Sequence, residues 1–235
     1  MNRKTYMKKT INKFGEAAWV LGNIVCAIGN CFVAKSAFGV AAVISPPFVI
    51  NKAFPLLSVG VSEYIFQGVL LTICCLIIGK FKEKFVATIC NILFYGACFD
   101  FIDVLFSSIQ PDNLVSRMLA AAVGTMFTTF GVALMLRTYI PPSAYEIFVK
   151  EIAEHKGINL NKFKLIFDSS MLAIALVLMF VFIGKFCFDL FGPLTIISAF
   201  LNSILIAFWG KILDKKVDFS PAIPHLFNVL NRKGK

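Results

Sequence analysis

Charge is scarce in this chain. Asp, Glu, Lys and Arg make up 15% of its 235 residues, against roughly 25% in soluble domains, too little to coat an ordinary water-facing surface. Histidine is rarer still. The only two, His155 and His225, fall in polar segments, which leaves no histidine inside an apolar run to serve a zinc site or an acid–base dyad. The seven cysteines (Cys26, Cys31, Cys74, Cys75, Cys90, Cys98, Cys187) include no C-x-x-C pair and sit in or beside apolar runs. They read as buried, inert thiols, since free cysteine packs as a small hydrophobe. G-x-S-x-G, H-E-x-x-H, Gly-Lys-Ser/Thr and the dinucleotide fingerprint are all missing. The expectation is a protein that is not an enzyme, with no metal and no cofactor.

What the chain has instead is apolar length. Hydrophobic residues reach 58%, with 26 Phe and a mean hydropathy of +0.81, and several runs attain the ~18–20 residues that cross a bilayer. This predicts an integral membrane protein whose first partner is the lipid bilayer. The net charge of +10 then reflects the bias of cytoplasmic segments towards Lys and Arg, and no nucleic-acid partner is expected.

An internal repeat organises the rest. Residues 29–80 and 131–185 share their punctuation: Gly29 matches Gly131, Lys35 matches Arg137, Glu63 matches Asp168, and Ile78-Gly79-Lys80-Phe81 matches Ile183-Gly184-Lys185-Phe186. Beyond these, Thr88 matches Thr195 and Gly96 matches Ser203.

In chain order, residues 1–16 form a basic N-terminus and 17–106 the first repeat, with spans near 17–36, 59–79 and 85–106. Between its first two spans, 38–53 is apolar but interrupted by Gly39 and Pro46-Pro47; because proline breaks a helix interior, it reads as a broken, half-inserted or interfacial helix on the outer side. An outer loop, 107–113, leads to the second repeat, 114–213, with spans near 114–136, 166–184 and 193–210. Its counterpart segment after the first span begins Pro141-Pro142. There Ser143 and Glu146 form a capping-box pattern, and Tyr145, Phe148, Val149 and Ile152 recur at helical spacing, with Lys150, Glu151 and Glu154 on the polar side. This predicts an amphipathic interfacial helix, stopped by Gly157, with Asn159 or Asn161 capping the next helix. The tail, 214–235, is polar, and Pro221 and Pro224 exclude a long helix there, although Leu226, Phe227, Val229 and Leu230 could touch the membrane.

Placing the N-terminus, the loop after the second span, the loop after the fourth and the tail on one side puts 19 of the 23 Lys and Arg there; Lys35, Lys52, Arg117 and Lys185 are the four on the other. Both termini are then cytoplasmic. Three spans per repeat is an odd number, so the second copy enters from the opposite side. The predicted fold is an all-α membrane protein with six transmembrane helices, as two inverted three-helix repeats, each with a broken or interfacial short helix after its first span. Transporters commonly use this plan, with the site at the repeat interface.

Gly-Val-Ala-Leu at 131–134, the proline turn into 143–155, Phe167-Asp168, the Gly-Lys hairpins and Thr88-Ile-Cys-Asn91 with Gly96 and Asp100 resemble the YczE/YyaS/YitT-like family of small bacterial membrane proteins, over about residues 17–215. The chain departs from that pattern with Ala87 where a glycine is usual, Leu194 before Thr195, and Ser203 in place of glycine. The resemblance implies a multi-span protein of the bacterial plasma membrane and no settled substrate.

Ionisable groups inside a membrane are costly and usually functional. Glu63 and Asp168, at matched positions, are the leading candidates to line a solute or proton path; the bland alternative pairs Asp168 with Lys164, one turn away. Asp100 and Asp103 share a helix face and could hold a cation, or merely end a helix in water. Lys35 and Arg137 could hold an anionic group, pair with an acid such as Glu63, or snorkel. Asn91 and Asn202 suit helix–helix hydrogen bonds, and Thr88, Gly96, Thr195 and Ser203 suit close helix packing. The functional expectation is a small-solute secondary transporter. The alternative is a non-transporting accessory protein that docks lipid or a partner through its basic inner face and the amphipathic helix. The chain's size permits a homodimer.

Overall fold

A computed structural model describes residues 13–230, with the side chains of Asn161, Ala199 and Val229 excepted. The basic positions Arg3, Lys4, Lys8, Lys9, Arg232, Lys233 and Lys235 lie outside the described residues. Helix α1 runs Gly15–Ser36, α2 Ser45–Ala53, α3 Val59–Ile78, α4 Glu83–Leu105, α5 Leu114–Met135, α6 Ala144–Lys156, α7 Leu160–Phe182, α8 Pro193–Lys216 and α9 Pro224–Leu230. A 3-10 turn, Ala42–Ile44, leads into α2.

Local chemistry sets most of these ends. The Ser58 hydroxyl accepts from the Val61 N–H to open α3, and Asn113 and Ser116 cap each other's backbone at α5. Gly79 and Gly157 close α3 and α6 at φ 69° and 64°, a conformation that costs glycine little. Asn159 Oδ1 accepts from the Lys162 N–H, so α7 starts well before residue 166. Pro46 and Pro47 do not break a helix. They stand in the first turn of α2, where a missing N–H costs nothing. Pro193 and Pro224 likewise begin α8 and α9.

Five helices are long and apolar enough to cross a membrane: α1, α3, α4, α5 and Lys162–Phe182 of α7. Their outward faces carry Leu76 at 77% exposure and Val104 at 74%. Apolar side chains this exposed, and this contiguous, are expected against lipid and not against water. The sixth long helix, α8, has 24 residues and exposes Ile196, Ile197, Phe200, Ile204 and Phe208.

The centre of the bundle is the crossing of α1 and α5, which is antiparallel. A Cβ on Gly22 would come within 2.9 Å of the Gly131 carbonyl oxygen, and one on Gly29 within 2.7 Å of the Gly124 carbonyl oxygen. Around this seam α4 packs on α1 and α8 on α5, while α6 packs on α3 and α2 on α7.

Helix α6 departs from the expected interfacial helix. Ala144, Tyr145, Ile147, Val149, Glu151, Ile152 and Ala153 are buried, so both of its faces meet protein. Glu151, expected on the polar side, is fully buried and ion-paired to Lys82 and to Lys84, the latter at 3.2 Å. The capping box is half formed: the Ser143 hydroxyl accepts from the Glu146 N–H, but the Glu146 carboxylate accepts from Lys164, 3.0 Å away, across on α7. The buried start of α6 lies beside Gln67, in the middle of α3, and Glu151 lies at the end of the α3–α4 hairpin. Helix α6 therefore runs alongside α3 from the bundle's interior to its edge. Helix α2 has the same character, with its first five residues, Ser45–Val49, buried. The tail folds back on the bundle: Glu16 accepts from the Ala222 and Ile223 N–H groups, both at 2.9 Å, and Phe227 packs edge-on against Tyr139.

Candidate functional site

A deeply buried carboxyl, Glu63, lies where α3 meets the start of α6. Glu63 is 1% exposed. Its Oε2 accepts from Gln67 Nε2 at 2.8 Å and from the Tyr145 hydroxyl at 2.9 Å. The spacing of one turn puts Glu63 and Gln67 on one face. Gln67 Oε1 accepts in turn from the Ala144 N–H at 3.0 Å, which fixes the amide's orientation and satisfies a donor at the start of α6. The positive end of α6 thus lies next to the carboxyl. Among the described residues no Lys, Arg or His pairs with Glu63.

A second buried network adjoins it. Asn30 of α1 donates to the Tyr95 hydroxyl at 2.7 Å and accepts from the Thr128 hydroxyl of α5 at 3.1 Å. Beyond Asn30 lies a cavity of about 10 Å³ lined by Thr125, Thr128, Ser198 and Asn202 among others, room for a water at most. The bundle is closed around its polar interior.

Two buried acceptors lie on these inner faces without a partner among the described residues: Asn23 Oδ1, one turn before Cys26, and Asn91 Oδ1, one turn before Tyr95. The Asn23 amide nitrogen donates to the Trp19 carbonyl at 2.9 Å, which fixes which end is oxygen.

The matched pair Glu63 and Asp168 is not equivalent. The Asp168 side chain is 33% exposed and stands 4.0 Å from Lys164, which Glu146 also engages. Asp100 and Asp103 do not converge on one ion. Asp100 accepts from the Ser58 hydroxyl at 2.6 Å and the Gly60 N–H at 2.8 Å, anchoring the start of α3, whereas Asp103 pairs with Lys35 at 3.3 Å. Arg137 holds Asp214 through two bonds, at 2.7 and 3.1 Å. Lys35 thus ties α1 to α4 and Arg137 ties the end of α5 to α8, and neither reaches Glu63. Gly96 lets α4 approach Gly60, and Thr88 and Thr195 are buried and bonded to backbone carbonyls, consistent with close packing. Ser203 is exposed and packs no helix closely.

Sequence reasoning missed Gln67, Asn30, Tyr95 and Thr128, and saw Tyr145 only as an apolar position. Gln67 carried a signal: an amide one turn from an acid within an apolar span. Gly22 and Gly124 carried one too, standing at the same repeat spacing as Gly29 and Gly131.

The model of the family of unknown function DUF6198 matches residues 15–211, nearly the whole bundle. No curated protein and no solved structure matches the chain.

Proposed function

We propose, on the premise that the chain belongs to the family of unknown function DUF6198, that it is a small-solute secondary transporter of the bacterial plasma membrane. Its two three-span repeats, α1–α4 and α5–α8, are inverted, with the solute path at their interface and both termini cytoplasmic. Several contacts support the inversion. Gly29 meets Thr128 and Gly124, and their repeat counterparts Gly131, Cys26 and Gly22 meet in the same way with the helices exchanged. Packing of α1 on α4 and α3 on α6 is likewise echoed by α5 on α8 and α7 on α2. The resemblance to YczE/YyaS/YitT-like proteins is compatible with this plan.

The observation that carries the functional reading is Glu63: a carboxyl sealed within an apolar span, beside the buried start of a half-length helix, with no basic partner. An uncompensated acid there is costly to folding, and discontinuous helices ending near the midplane are the usual framework of a transporter's site. Rocking of the repeats about the α1–α5 seam would open the closed bundle to one side at a time. The accessory alternative would dock through the basic inner face and the amphipathic helix at 143–156; that helix is packed on α3, α4 and α7, which leaves only the basic face for docking.

The test is flux into liposomes holding the purified chain, across a panel of amines, amino acids, sugars and carboxylates. Glu63→Gln should abolish the uptake seen for the wild type while unfolding at a similar temperature. Full uptake by a folded Glu63→Gln protein, or no uptake of any solute by the wild type, overturns the reading.

A further inference from the structure

Every unmet demand around Glu63 is a demand for a donor. The carboxylate itself accepts; among the described residues Asn23 Oδ1 and Asn91 Oδ1, on side chains 0% and 1% exposed, have no donor. They stand one turn before Cys26 and Tyr95, which Asn30 joins across α1 and α4 at 3.6 and 2.7 Å, and α3 meets α4 at this depth through the Tyr64 hydroxyl, which donates to the Leu93 carbonyl at 3.0 Å. A buried carbonyl without a donor is costly, and two of them beside an acid with no basic partner among the described residues make an adventitious arrangement expensive. Aromatic rings complete the surroundings: Tyr95 and Tyr145 are buried, and Phe66 lies 6.3 Å from Tyr145 between ring centroids. Rings favour a cation over an anion, and an anion would meet Glu63 with no basic group to offset the repulsion.

We infer that the solute bound at this site is a small protonated primary amine, held by its N–H groups to Glu63 and to the side-chain oxygens of Asn23 and Asn91. This rests on the transporter reading and names its substrate class. An amine of this kind supplies both missing features together, positive charge and several donors on one nitrogen. A quaternary ammonium supplies only the charge, and a sugar only the donors. The bundle is closed, so binding requires an opening of the seam, and the smallest amines require the least.

The experiment is thermal unfolding of the purified full-length chain, read on Trp19 and Trp209, with methylammonium, tetramethylammonium, glucose and acetate titrated separately. Methylammonium should stabilise the protein saturably and the other three should not. Comparing methylammonium with tetramethylammonium holds the charge constant, removes the N–H donors and needs no variant. Glu63→Gln should weaken the apparent affinity for methylammonium about tenfold or more, as loss of a charged hydrogen-bond acceptor implies. Asn23→Leu should weaken it less. No stabilisation by methylammonium, or equal stabilisation by tetramethylammonium, overturns the inference. Glu63-dependent liposomal uptake of a sugar or a carboxylate in that case would leave the transporter reading standing and sink only the substrate class. Absence of uptake for every solute would remove both.

Discussion

Gly29 and Gly124 press against each other so closely that a methyl group on either would come within 2.7 Å of the other's carbonyl oxygen. The contact is between backbones, so no flexible side-chain end can give way. Gly29→Ala and Gly124→Ala should each destabilise the protein by about 1–3 kcal/mol, the usual cost of overpacking, and the double variant should cost less than their sum because the seam, once opened, is opened for both. Gly68, in α3, has nothing within 4 Å of an added methyl. Gly68→Ala should be neutral or stabilising by up to about 1 kcal/mol, from helix propensity alone. Thermal unfolding in detergent separates the cases; a neutral Gly29→Ala would deny that the seam is tightly packed.

Lys35 with Asp103 joins α1 to α4, and Arg137 with Asp214 joins the end of α5 to α8. Asp103 and Asp214 are more than half exposed, so each pair is worth about 0–1 kcal/mol and neither organises the fold. Their use lies in marking the two ends of the bundle. In inverted repeats these ends face opposite sides of the membrane. Leu56, fully exposed between α2 and α3, stands towards the Lys35 end, and the exposed Lys156 towards the Arg137 end. In a Cys90→Ser background, which removes the exposed native thiol, a membrane-impermeant maleimide applied to intact cells should label Leu56→Cys. It should label Lys156→Cys only after lysis. Labelling of both on intact cells would refute the inversion.

The five long apolar helices were legible because an apolar run such as the one bounded by Ser58 and Gly79 carries its own length and caps. The proposed repeat rests on the same kind of signal: Gly29 and Gly131 punctuate by type. What escaped was pairing across the fold. Tyr145 reaches Glu63 from 82 positions away, and its spacing along α6 reports only that it faces inward, not which group its hydroxyl meets. Glu151 misled in the opposite direction. Periodicity assigns a charged residue to the wet side, whereas Lys82 and Lys84, brought in by the α3–α4 hairpin, make its burial tolerable. Matched positions also diverged. Glu63 and Asp168 occupy the same place in the repeat, but only Asp168 has a lysine one turn before it.

The Gln67 amide bridges the Glu63 carboxylate and the Ala144 N–H, and so supplies a second test of the site. Gln67→Leu keeps most of the volume and removes both bonds. It leaves the α6 N–H buried without an acceptor, so stability should fall by about 1–3 kcal/mol. Tyr145→Phe removes one bond to Glu63 and orphans no backbone group, so its cost should be nearer 0.5–1.5 kcal/mol, roughly a single hydrogen bond. The order of the two unfolding temperatures is the check, and Tyr145→Phe below Gln67→Leu would show that the bridge does not hold α6.

Glu151 gives the fold a dependence on pH with a definite sign. Burial alone would push its carboxyl up, but the hydrogen bonds and charges of Lys82 and Lys84 outweigh that and hold it below its ordinary value of 4.5. The folded carboxyl therefore binds its proton less readily than the unfolded one. Its contribution is complete at neutral pH, begins to fade as the pH falls through about 4.5, and is gone below the folded value. Glu151→Gln should cost roughly 1.5–3 kcal/mol at pH 7, the range for a hydrogen bond to a charged group. The lysine ammonium groups it frees are about a third exposed and can reach water, which keeps the loss from being larger. Unfolding temperatures of the wild type and Glu151→Gln, followed from pH 7 downwards, should converge on the acid side as the wild-type advantage titrates away. A gap that stays constant through that range would mean that the carboxyl is held by packing alone and that its two lysines do not fasten α6 to the α3–α4 hairpin.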